Sequence, residues 1–276
     1  DGERVGAAWR LIDAHAEPAP PRHLHVYARE RVLPGDLGFD AAAAAQERSV
    51  GERLLAARPG DLLLNEIAAR GEHVLDCVLV EPNEWWLGRH VAASPETRWP
   101  GGAPLLAVPP DLISRAYLKL NEALAWSELP VHAGDAVVEI GSAPGGAAQA
   151  LLERGCAVTG IDPAEMDPRV LADPRFTHLR ARAKDVKRSA FAGFRWLVSD
   201  ANVAPNYTLD TVEAIVTHPG VAIEGLVLTI KLTNAAYTAK LPQYVERIRG
   251  FGYASVRARQ LAYNRQEVCV VATARS

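Results

Sequence analysis

Three acidic side chains, a lysine and a cluster of glycines stand where apolar runs of this chain stop. Gly141, Gly145 and Gly146 follow AVVEI at 136–140, Asp162 follows CAVTGI, Asp200 follows RWLVS, and Lys231 follows AIEGLVLTI. Asp185 lies in the loop after a further short run, RFTHL. Such runs read as strands covered on both faces. Glycines after the first one let the backbone turn sharply and admit a ligand where a Cβ would stand in the way. The spacing is not G-x-G-x-x-G, and no Lys-Ser/Thr pair follows, so neither a dinucleotide site nor a phosphate loop is the best reading. Asp162 comes about 20 residues after the turn, the place from which a carboxylate accepts hydrogen bonds from ribose hydroxyls. Each acid taken alone could be a helix cap or a solvated loop charge. Any strand–glycine–helix corner of an α/β domain could also look like this one. The combination is more specific and points to a nucleoside ligand without a pyrophosphate. S-adenosyl-L-methionine fits, with Gly141, Ser142, Ala143, Pro144, Gly145, Gly146, Asp162, Asp185 and Asp200 as the candidate contacts.

The elements that must position these residues follow a clear rhythm. From Ala136 onward the order is strand, helix, strand. Strands are expected at 136–140, 156–161, 175–179, 195–199 and 222–230, and helices at 144–154, 210–218 and 237–249. The last two strands, 253–259 and 267–273, are joined by a short loop and must be antiparallel. The expected fold is α/β: a Rossmann-like, mostly parallel sheet with an antiparallel last strand. Before it, 111–126 reads as a helix whose apolar stripe is Ile113, Ala116, Tyr117, Leu120 and Leu124, with Lys119 beside the stripe. Residues 92–110 carry five prolines and read as an irregular connector.

The front of the chain reads as a small α+β module over 1–95, followed by the connector 96–110 and the main domain 111–276. Its elements are a short helix around 9–16, an EPAPP linker, a strand at 23–29, a loop at Pro34-Gly35, and a helix capped by Asp40 and ended by Pro59-Gly60. Three strands follow at 61–67, 73–80 and 84–91. Adjacent Trp85 and Trp86 must face opposite sides of their strand; one belongs to the core and the other is free to stack on a base.

Composition bounds the rest. The chain has 276 residues, a net charge of −3, 49% hydrophobic and 23% charged residues. A wholesale basic surface is absent, so nucleic-acid contact must come from local patches. Arg180, Arg182, Lys184, Lys187 and Arg188 form one, and Arg257, Arg259 and Arg265 another. A solvated charged face is the plainer alternative. Three scattered cysteines, Cys77, Cys156 and Cys269, fit neither a disulfide framework nor a zinc site, and no metal is expected. No stretch is long enough for a membrane span and no signal peptide is visible, so a cytoplasmic protein is the default expectation.

SRAYLKL, EIGSAPGG, SDANV, TIKL and NRQEVCVV occur in this order, and together they resemble the FtsJ-like RNA 2′-O-ribose methyltransferases. The resemblance covers about 111 to the C-terminus. It implies a Lys–Asp–Lys–Glu catalytic set, which by motif position is Lys119, Asp200, Lys231 and Glu267. The segment from VLVEPNEWW to LNEAL and the ending ARQLAYNRQEVCV are similar to the RlmM branch. That branch implies a ribosomal-RNA cytidine 2′-O-methyltransferase with an RNA-binding THUMP module in front, here reduced. Ala147 departs from the pattern, since many relatives carry Trp there. In the chemistry this set allows, Lys231 takes the 2′-OH proton, Lys119 lowers the pKa of Lys231, and Asp200 orients Lys231. Glu267 holds a lysine and contacts the ribose side. The competing readings are a methyltransferase of transfer RNA, of a cap or of a small hydroxylated metabolite, and a non-catalytic RNA-binding ribosome-assembly factor.

Overall fold

The computed structural model describes residues 2–15, 19–30, 32, 41–58, 60–81, 83–104 and 106–273. Asp40, Pro34-Gly35 and Pro59, assigned above to a cap, a loop and a helix end, lie outside them, as do 17–18 of the EPAPP linker. The chain divides into two compact units, Asp1–Leu105 and Leu106–Ser276. The division falls inside the stretch 96–110 that reads as a connector.

The first unit runs α1 (Gly2–Ala14), β1 (His23–Ala28), α2 (Ala41–Ala57), β2 (Leu63–Leu64), β3 (His73–Glu81) and β4 (Glu84–Val91). The strand order is β2-β1-β3-β4. β1 runs parallel to both β2 and β3, and β4 is antiparallel to β3. One face of the sheet packs Leu24, Val26, Leu75 and Cys77 against Val5, Trp9, Ile12, Val50 and Leu54 of the two helices. Alternation along β1 and β3 puts His23, His25, Tyr27 and Asp76 on the other face. The two tryptophans separate as alternation requires. Trp85 packs against the core cluster, and Trp86 is 54% exposed with its indole N–H donating to Glu84. The expected strand at 61–67 shrinks to Leu63–Leu64.

The second unit runs α3 (Ala116–Ser127), β5 (Ala136–Ile140), α4 (Gly146–Glu153), β6 (Ala157–Ile161), α5 (Pro168–Leu171), β7 (Phe176–Leu179), β8 (Trp196–Ser199), α6 (Pro205–Val216), β9 (Gly225–Lys231), α7 (Ala235–Ala239), α8 (Leu241–Arg249), β10 (Ser255–Arg259) and β11 (Glu267–Thr273). Its sheet order is β10-β11-β9-β8-β5-β6-β7. β5 to β9 are parallel, β11 is antiparallel to β9, and β10 is antiparallel to β11. This is the Rossmann-like sheet the sequence predicts. Strand order reverses between β5 and β8, and that switch point opens a crevice beyond the strands' carboxyl ends. Leu197, Leu226, Leu228 and Ile230 are fully buried at the centre of the sheet and join the core with Leu209, Val212 and Ile248 from the helices. The helix expected at 237–249 is two helices, because Pro242 lacks the N–H needed to continue the first turn into the second. No helix among the described residues is long and apolar enough to cross a membrane.

Candidate active site

β5 delivers the glycine turn to the crevice. Gly141 adopts φ +79°, and a Cβ there would sit 2.6 Å from the backbone of Ala201, so both the conformation and the close approach require glycine. Gly145 adopts φ +119° against Val170. Gly146 opens α4 hard against Ser114. Pro144 follows a cis peptide and precedes α4 instead of starting it, which corrects the expected helix start. Ser142 turns inward, its hydroxyl donating to Glu139 at 2.7 Å. Glu139 is 1% exposed. Burial pushes its carboxyl up to about 8; the Ser142 hydrogen bond opposes the shift, and the nearby Asp200 and Asp162 carboxylates add to it. At neutral pH Glu139 is therefore mostly uncharged.

Beyond the turn lies a cavity of about 340 Å³, walled by Gly141, Ala143, Asp162, Arg182, Asp200 and Tyr207 among others. That volume suits a cofactor-sized ligand. Asp162 accepts the amides of Ala143 at 3.3 Å and Ala164 at 2.8 Å, which fixes its carboxylate at the cavity wall. The sequence-predicted contacts therefore divide. Gly141, Ala143, Asp162 and Asp200 face the cavity. Ser142, Gly145 and Gly146 serve the packing of the turn. Asp185 is exposed and outside the lining, because the short turn Ala183–Asp185 directs Ala183 into the wall and Asp185 outward.

Asp200 also belongs to a second constellation. It follows β8; Lys231 ends β9; Glu267 opens β11 directly opposite Lys231 in the ladder; Lys119 comes from α3. Lys231 Nζ donates to Asp200 Oδ1 at 3.0 Å and to Glu267 Oε2 at 3.3 Å. Lys119 Nζ donates to Asp200 Oδ2 at 3.2 Å and pairs with Glu267 Oε1. The four alternate in sign around a closed ring, and none of their side chains is more than 14% exposed. Such burial is tolerable because every charge has two opposite partners. Burial alone would lower the Lys231 amine, but the Asp200 and Glu267 carboxylates outweigh it and leave its pKa above the ordinary lysine value. Burial would raise the Glu267 carboxyl, and Lys119 followed by Lys231 brings it below the ordinary value. The expectation that Lys119 depresses Lys231 is thus corrected: the charges bonded to Lys231 are carboxylates.

The basic side chains also divide. Lys184 and Lys187 are exposed, and Arg182 is exposed while lining the cavity. Arg180 is exposed beside Glu165 and donates to the Pro163 carbonyl. Arg188 instead donates to the carbonyls of Ala183, Lys184 and Val186, which makes it a brace for its own turn. Arg257 lies over the Trp126 ring at 5.1 Å and donates to the Ser127 carbonyl. Arg265 is exposed and Arg259 half-buried. Among the described residues no cluster of three or more His, Cys, Asp or Glu could hold a metal ion. Sequence reasoning missed the Glu139–Ser142 pair and a buried carboxylate on α3, Glu122. A buried acid on a helix face carries no local signal that separates it from a solvated one.

Residues 112–241 match the FtsJ-like methyltransferase family model. Over 190 residues the chain is 31% identical to the ribosomal RNA large subunit methyltransferase M of Halorhodospira halophila, covering 67% of this chain and 54% of that protein. It is 31% identical over 182 residues to the protein of the same name from Azotobacter vinelandii, covering 62% of this chain and 50% of that one. The chain thus spans about half the length of the curated relatives it matches. A solved Lactococcus lactis structure described as a hemolysin shares the fold, with a TM-score of 0.50 and 16% identity over 60% of this chain and 89% of that one. By family model over residues 112–241, relatives and motif order, the chain is similar to the FtsJ-like methyltransferases, and among them to ribosomal RNA large subunit methyltransferase M.

Proposed function

We propose that the second unit transfers a methyl group from S-adenosyl-L-methionine to a ribose 2′-OH of RNA, that the RNA is large-subunit ribosomal RNA, and that the reaction takes place in the cytoplasm. One observation carries this reading: Asp200 lines the 340 Å³ cavity and at the same time bonds both lysines of the charged ring. A donor in the cavity and an acceptor over the ring would therefore meet at Asp200. The residues present fit the donor. Gly141 and Ala143 give the cavity a wall of backbone and one methyl group, and Asp162 holds a carboxylate at the wall to accept ribose hydroxyls.

The bound donor supplies a methyl carbon activated by its sulfonium sulfur. The chain's part is alignment and removal of a proton, since a 2′-OH is almost un-ionised at neutral pH. Lys231 Nζ, in its neutral form, accepts the hydroxyl proton. Asp200 and Glu267 hold that nitrogen in place from two sides. Lys119, bonded to the same two carboxylates, offsets their charge and directs a donor toward the hydroxyl oxygen. The exposed Arg182, Lys184 and Lys187 lie on the segment that walls the cavity, where they would contact phosphates. Those cations favour RNA over a small hydroxylated metabolite. The first unit, with the solvent-facing Trp86, supplies further RNA contact.

The test supplies labelled methyl donor with unmodified ribosomal RNA, transfer RNA and a free nucleoside, followed by digestion and location of the label. Label on a 2′-oxygen of ribosomal RNA is the expected result. Label confined to the nucleoside, or none anywhere, refutes the reading.

A further inference from the structure

Three members of the charged ring are set by the sheet: Asp200 follows β8, and Lys231 and Glu267 are ladder partners. Lys119 comes from a helix, and no ladder fixes it. Arg115, Lys119 and Glu122 stand at i, i+4 and i+7, one stripe of α3 and its first turn. All three reach the same end of the β10–β11 hairpin. The Arg115 guanidinium donates to the Tyr263 carbonyl at 2.9 Å. Glu122 Oε1 accepts the Ala262 amide at 2.8 Å and Oε2 accepts the Tyr263 amide at 2.8 Å. Glu122 is 1% exposed and Tyr263 3% exposed. A carboxylate taken so far from water must be compensated by its hydrogen bonds, and here both oxygens are committed to two consecutive amides of one loop. Glu267 lies four residues after Tyr263 in that loop-to-strand segment.

We propose that Glu122 is a positioning residue for the methyl-transfer site: it latches α3 to the hairpin end at Ala262–Tyr263 and so sets Lys119 at bonding distance from Asp200 and Glu267. The inference rests on the proposed function for its kinetic consequence, while the latch can be read without turnover. Apolar packing along α3 fixes the helix roughly. A displacement of about 1 Å at a catalytic group is enough to cost on the order of 100-fold in rate, and two 2.8 Å hydrogen bonds to a carboxylate that is 1% exposed are a restraint on that scale.

The experiment uses the full chain with 15N-labelled lysine and follows the Nζ signals, assigned through Lys119→Arg and Lys231→Arg. In Glu122→Gln one oxygen becomes an NH2 group facing a backbone N–H, which breaks half of the latch. Expected is faster exchange of the Lys119 ammonium protons with water, while the Lys231 signal, held by the ladder, stays in place. Turnover falls ~10- to 100-fold in kcat, and KM for donor and RNA stays within about 3-fold. In a Lys119→Ala background Glu122→Gln has no further effect, because the two act as one unit. Arg115→Met removes the other grip on Tyr263 and moves the Lys119 signal the same way by less. An unmoved Lys119 signal in a Glu122→Gln protein that melts at the parental temperature overturns the proposal. So does an equal loss of kcat in both backgrounds, which would make Glu122 a general structural support. If the chain methylates no RNA at all, the lysine signals still decide the latch, and the proposed function fails separately.

Discussion

Each unit of this chain buries a cluster of polar side chains on or beside its sheet, and the two clusters are built differently. In the first unit His23, His25, His90, Asp76 and Tyr27 share a sheet face. His23 bonds Glu72, His25 bonds the Glu66 carbonyl, and His90 bonds both Asp76 and the Thr97 carbonyl. Two of these bonds end on backbone, so they tie a loop or short helical turn to the strands. In the second unit Lys119, Asp200, Lys231 and Glu267 bond one another, the last three at strand ends and Lys119 on α3, and share a member with a cofactor-sized cavity. A polar cluster that terminates on backbone holds a fold together. One that closes on itself at the mouth of a crevice leaves its groups available to a reactant. Burial is common to both and decides nothing; the identity of the partners does.

The sharpest way to break this contrast is Lys231→Ala. Loss of a positioned base costs on the order of 10²–10⁴-fold, so methyl transfer to RNA falls to near background while donor affinity stays within a few-fold. Single-turnover transfer and calorimetric donor binding give the two numbers. Near-normal turnover would mean the ring is structural after all.

The next effect follows from the direction of the Lys231 shift. A base whose pKa lies above the ordinary lysine value of 10.5 is protonated at neutral pH. The chemical step should therefore speed up about tenfold per pH unit from neutrality toward pH ~10, as the neutral fraction grows. A rate that is flat over that range removes Lys231 from the role of base. A smaller effect is expected from Arg182→Glu with Lys187→Glu, which places one negative charge at the cavity wall and another a turn further along the same segment. RNA affinity should weaken about 10- to 100-fold with a shallower salt dependence, and donor affinity, to which only the wall residue Arg182 is adjacent, should change far less. Unchanged RNA affinity would move the RNA-binding surface elsewhere.

The strands of the second unit and the mostly parallel sheet they form were legible in the sequence because short apolar runs ending before Gly141, Asp162, Asp200 and Lys231 leave little else to read, whereas the switch point between β5 and β8 needed the strand order. The four ring residues were legible only by motif resemblance, since Lys119 and Glu267 lie at the opposite ends of the second unit's sequence and no local pattern joins them. Asp185 and Arg188 misled for a different reason. A charged residue in a loop looks the same whether it faces a cavity, faces water or braces its own turn, and three carbonyl hydrogen bonds decide the matter for Arg188. Glu122 was invisible because its partners are backbone amides of a loop about 140 residues away.

The smallest effect separates the clusters by acid. Burial is the main cause holding the His25 pKa below the ordinary 6.5. A histidine depressed in the folded state contributes stability that is complete above its unfolded value and is lost as pH falls through the folded one. Glu267 is depressed from 4.5 by its lysine partners, after overcoming the opposing effect of burial. Its contribution is complete above ~4.5 and is lost only below that. Lys231, raised, contributes fully below the unfolded lysine value and loses that contribution only as pH climbs through the folded one. Between pH 6.5 and 4.5 the first unit should therefore lose amide protection while the second keeps it, with β1 and β3 reporting before β8 and β9. Hydrogen exchange read by mass spectrometry on the full chain gives both units in one experiment. If β8 and β9 open first in that window, the ring is the weaker assembly, and the inference from partners to role fails at its thermodynamic end.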